Sequence, residues 1–79
     1  MSMRFQPNRL QRELEKPECR EHFRKYFPSA LEFYERYLLK SGVNCPLTQA
    51  ALKALWAMES DRDAEGFEKA LESGRWLST

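Results

Sequence analysis

Apolar residues recur along the chain at intervals of three and four and never alternate with period two. Valine occurs once and isoleucine not at all. Such spacing predicts helices and no strand. The weakest segment runs over 8–16, where Leu10 and Leu14 are the only apolar pair. Pro17 then either kinks this helix or opens a second one at its first position, where the missing amide hydrogen is not needed. Over 17–27 the residues Cys19, Phe23, Tyr26 and Phe27 share one face, and Glu18, Glu21, His22 and Lys25 face away. Pro28 closes that helix. Ser29 and Glu32 fit a capping box opening a third helix over 30–40, with Ala30, Leu31, Phe33, Tyr34, Tyr37 and Leu38 inward, Glu32 and Arg36 paired outside, and Gly42 as the stop.

The fourth predicted helix, 46–59, is apolar nearly all round. Ala57, Ala50, Ala54, Leu47, Met58, Ala51 and Leu55 form one arc, Leu52 and Trp56 extend it, and Gln49 and Lys53 make the polar edge. Two readings follow. Either this is the central helix, wrapped by its neighbours, or short neighbours leave part of it uncovered and that part meets a second molecule. The candidate interface is Ala50, Ala54, Trp56 and Ala57. Alanine rows let helix axes approach closely, so the second molecule could be another copy of the chain. Gly66 offers an intramolecular alternative, a site where another helix packs close. The polar cluster Ser60, Asp61, Arg62 and Asp63 is expected to turn the chain and cap a fifth helix over 62–73, with Ala64, Phe67, Ala70 and Leu71 as its stripe. Trp76 and Leu77 in the tail, 74–79, are expected to fold back on the bundle.

Linkers of a few residues make consecutive helices antiparallel neighbours, so the expected fold is all-α: a compact bundle of four to five short helices in a single domain. At 79 residues the core is small, since a chain of this size hides only about 60–65% of the surface its unfolded form exposes. A hydrophobic content of 42% with 32% charged residues excludes a disordered chain, and no apolar run is long enough to span a membrane. The start carries no apolar export segment, so a cytoplasmic location and two thiols, rather than a disulfide between Cys19 and Cys45, are expected.

Charge adds one asymmetry. Residues 1–40 carry nine Lys/Arg against six Asp/Glu, and residues 41–79 carry four against six. Arg9, Arg12, Arg20, Arg24 and Lys25 lie in the basic half beside aromatic residues, which makes them the candidate contacts for an accessory nucleic-acid-binding role. Interleaved glutamates, a buried aromatic face and a net charge of +1 weigh against it. Cys19 and His22, three apart on a helix, with Cys45 as a third donor, are the only metal candidates. They are too few for a closed zinc site, and the simpler reading makes Cys19 a core residue and His22 a residue at the solvent edge. No phosphate loop, hydrolase elbow or metalloprotease motif is present, and no cofactor or small-molecule ligand is inferred. The expectation is a non-catalytic helical module for protein interaction or regulation, its partner a protein and possibly itself.

Overall fold

The computed structural model describes residues 4–76. Four helices follow one another: α1 (Pro7–Glu13), α2 (Pro17–Tyr26), α3 (Pro28–Ser41) and α4 (Pro46–Ser73), with no strand among the described residues. The protein is an all-α bundle.

All four prolines of the chain stand at the first position of a helix. The pyrrolidine ring supplies a helical φ and lacks an amide hydrogen that would have no partner there, while it disfavours helical backbone in the residue before it. Gln6, Lys16 and Cys45 accordingly take extended backbone and Phe27 leaves the helical region. This corrects two expectations. Pro28 opens α3 as well as ending α2, so Ser29 lies within the first turn and its capping box does not form. Pro7 opens α1, which ends at Glu13, before the expected Lys16.

The expected break at residues 60–63 is smaller than a turn. Helix α4 continues through Ser60, Asp61 and Arg62, and only Asp63 leaves helical backbone, at φ −158° and ψ 78°. Its carboxylate accepts the Gly66 amide at 3.0 Å, so Asp63 caps the second half of a kinked helix. A β-carbon on Gly66 would collide with that carboxylate, and the glycine serves this cap instead of a helix crossing.

Burial along α4 follows the helical period: Thr48, Ala51, Leu52, Leu55, Trp56, Glu59, then Phe67, Ala70 and Leu71. The apolar arc is thus divided. One part packs against α1 and α3, and Leu47, Ala50, Ala54, Ala57 and Met58 remain exposed, as does Ala64. Helix α2 packs on α3. Leu10, Leu14, Cys19, Phe23, Leu31 and Tyr34 complete the core. Phe33, expected inside, is 43% exposed and rests on Tyr37. Beyond α4, Gly74 in the left-handed conformation turns the chain so that Trp76 is buried against Phe23 and Phe67. Leu77 lies outside the described residues. No described helix is long and apolar enough to cross a membrane.

Candidate functional site

Among the described residues, two clefts bring together side chains that bear on chemistry or binding. The first is a cleft of about 400 Å³ where α2, the kink of α4 and the C-terminal segment meet, with His22, Tyr26, Glu59, Arg62 and Trp76 in its walls. Glu59 lies on the inward stripe of α4 and His22 at the edge of that of α2, and the packing of the bundle buries both. His22 corrects the expectation of a solvent-edge residue: it is 7% exposed.

Burial alone would raise the Glu59 carboxyl. Hydrogen bonds from Arg62 and His22, with their charges, outweigh it and leave the group below its ordinary value. Arg62 grips the carboxylate with two nitrogens, Nε to Oε2 at 2.9 Å and Nη2 to Oε1 at 2.7 Å. His22 Nε2 stands 2.5 Å from Oε1. An ionised carboxylate only accepts, so Nε2 carries the proton. The 3.4 Å approach of Arg62 Nη2 to Nε2 is then two donors facing one oxygen. The guanidinium also lies over the Tyr26 ring, 3.8 Å from its centre, and the Trp76 ring packs against the imidazole. These groups bind one another and brace the kink. The Ser73 hydroxyl, also in the cleft wall, donates to the Lys69 carbonyl. Sequence patterning missed Glu59, Arg62 and Tyr26 as one cluster. The available signal was a charged residue on an otherwise apolar stripe.

The metal candidates are not brought together. Cys19 is fully buried in the core, His22 faces Glu59, and Cys45 precedes α4; among the described residues no group of three His, Cys, Asp or Glu side chains is placed to hold an ion. Both cysteines are free thiols. Burial, with Glu13 nearby, pushes the Cys19 thiol up, whereas the Leu47 and Thr48 amides at the start of α4 lower that of Cys45. A thiol-specific reagent should therefore modify Cys45 in the native protein and reach Cys19 only on unfolding. Cys19→Ser should lower stability by about 1–2 kcal/mol in urea titration without abolishing the fold, because a hydroxyl replaces a small hydrophobe in the core. Rapid native modification of both thiols would contradict this placement.

The basic residues proposed for nucleic acid are largely engaged within the chain. Arg9 donates to the Leu71 carbonyl at 2.5 Å, and Arg20 to the Leu14 carbonyl at 2.6 Å. Arg24 pairs with Glu21 and Glu35, Lys25 lies beside the Tyr26 ring, and Arg12 is exposed. Phe23 is buried and Tyr26 carries Arg62, so neither ring offers a free face for a base.

The second feature is an apolar groove of about 440 Å³ between α3 and α4, lined by Ala30, Phe33, Ala50, Ala51, Ala54 and Met58, with Ser29 as its polar edge. Phe33, Met58 and, further along α4, Leu47 are between 39% and 48% exposed. Ala50, Ala54 and Ala57 of the predicted interface lie on this side of α4. Trp56 does not: it is 3% exposed, packed between Phe5 and Phe67, and belongs to the core.

The chain matches no protein-family model, no curated protein and no solved structure.

Proposed function

We propose that this chain is a small, non-catalytic helical module of the cytoplasm that binds a protein partner, receiving an amphipathic helix in the groove between α3 and α4. The observation that carries this reading is the exposed side of α4. There an alanine floor lies next to Phe33 and Met58, two large apolar side chains that folding leaves partly exposed. Alanines let an incoming helix axis approach closely, and flanking aromatic and thioether groups supply the contact area and adaptability typical of helix-in-groove recognition. Two free thiols suit a reducing compartment. The nucleic-acid alternative has less support, because Arg9, Arg20 and Arg24 already bond within the chain.

A displayed library of amphipathic helical peptides, selected against the immobilised protein, tests the groove. Selected peptides should lose at least about tenfold in affinity for Ala54→Glu and for Phe33→Ala, an order expected when a groove contact or anchor is removed. Both variants should keep the wild-type circular dichroism, since both side chains are exposed. Binders indifferent to both substitutions would remove the groove from consideration.

A further inference from the structure

We infer that the open face of α4 beside the groove docks the same face of a second copy of the chain, the two α4 helices antiparallel about a two-fold axis at Ala57. The inference rests on the exposed α4 side of the reading above and names its partner; Lys53, Ala57 and Asp61 are not among the groove's lining residues. Lys53, Ala57 and Asp61 follow one another at four-residue intervals, so they form one row along α4, and all three are exposed. Lys53 and Asp61 make no ion pair among the described residues. Exposed charges on these helices pair where an opposite charge stands four residues away, Glu32 with Arg36 and Glu65 with Lys69. Eight residues separate Lys53 from Asp61 along the helix, about 12 Å of rise, too far for the two to meet within one chain.

An antiparallel two-fold at Ala57 answers both charges at once. It sets Lys53 of each copy opposite Asp61 of the other, because the two positions are equidistant from the axis. A parallel pairing would set lysine against lysine and aspartate against aspartate. The residues between the charged ends, Ala54, Ala57 and Ser60, are small enough for close approach of the two axes. Met58 and Phe33 stand to one side of the row, where they can cover the apposed helix. A surface that is charge-complementary to itself under a two-fold is what an isologous dimer requires.

Sedimentation equilibrium from micromolar to millimolar protein, with circular dichroism on every variant, tests the pairing. The wild type should show a reversible dimer. Lys53→Asp and Asp61→Lys should each weaken it about tenfold, since either turns two attractive pairs into two repulsive ones. The double swap Lys53→Asp with Asp61→Lys should restore wild-type association. A wild type that stays monomeric, a dimer indifferent to the single changes, or a double swap no better than either single would overturn the inference. Should the chain stay monomeric while selected peptides still bind in a manner sensitive to Ala54→Glu, the groove reading stands and only the second copy falls. If the peptides fail as well, both fall.

Discussion

Glu59→Ala should destabilise the bundle by about 3–5 kcal/mol, the range found when one member of a buried ion pair is removed and the other stays behind. The carboxylate is 1% exposed and accepts from Arg62 and His22, which enter from the same helix and from α2. Without it, Arg62 can reach water, because its side chain is 31% exposed, but the largely buried imidazole loses the acceptor at Nε2. For a domain of this size, whose total stability is on the order of 4–12 kcal/mol, that loss is a large fraction. Glu59→Gln, which keeps the shape and one acceptor oxygen, should cost less, about 1.5–3 kcal/mol. Urea denaturation near neutral pH measures both, and a loss under about 1 kcal/mol for Glu59→Ala would show that the cluster contributes little.

The same group sets an acid dependence. Its pKa in the folded protein lies below the ordinary value of 4.5, so the unfolded chain binds the proton more readily. Stability from Glu59 is then fully present above about pH 4.5 and is lost as pH falls through the lower, folded-state value. The melting temperature of the wild type should drop across that acid window, and Glu59→Gln should flatten the drop. Equal slopes in the two proteins would assign the acid sensitivity to other carboxylates.

Trp76→Ala is expected to lower stability by about 3–5 kcal/mol, as for other large aromatic truncations in a core. The ring is 5% exposed and touches His22, Phe23 and Phe67 with centroid separations between 5.3 and 5.8 Å, and its Nε1 donates to Glu13 at 2.9 Å. It therefore joins the end of the chain to α1, α2 and the second half of α4. Trp76→Phe should retain most of the packing and lose about 1–2 kcal/mol with the hydrogen bond. Trp56, also in the core, leaves a fluorescence signal for following unfolding in both variants. If Trp76→Ala costs no more than Trp76→Phe, the segment after Gly74 is not part of the cooperative core.

Much of this architecture is legible from residue order. Period and the near absence of β-branched aliphatic residues specify helices; Leu10, Leu14, Cys19, Phe23, Leu31 and Phe67 lie on predicted apolar faces, Trp76 in a tail expected to fold back, and all are buried. Pro17 and Pro46 are readable as helix starts, and they open α2 and α4. Pro28 was readable as a stop, and its second role as a start depended on Phe27 alone bridging two helices. The kink at Asp63 was visible only as polar composition, since one capped residue and a full turn look alike in sequence.

What sequence by itself determined follows from rules that act within a few residues: proline ring sterics, capping geometry, and the 3.6-residue period that sorts apolar from polar positions. What tertiary structure decided is which apolar positions are covered and which polar ones find partners. The arc on α4 is uniform as a pattern, yet Phe5 and Phe67 cover Trp56 while Ala50, Ala54, Ala57 and Met58 stay open. His22 and Glu59, thirty-seven positions apart, each interrupt a stripe, and only the packing of their helices makes the two interruptions one satisfied cluster. Burial is a property of neighbours in space, and a polar group on an apolar face is tolerated when the opposing helix brings the hydrogen-bond partner that water no longer supplies.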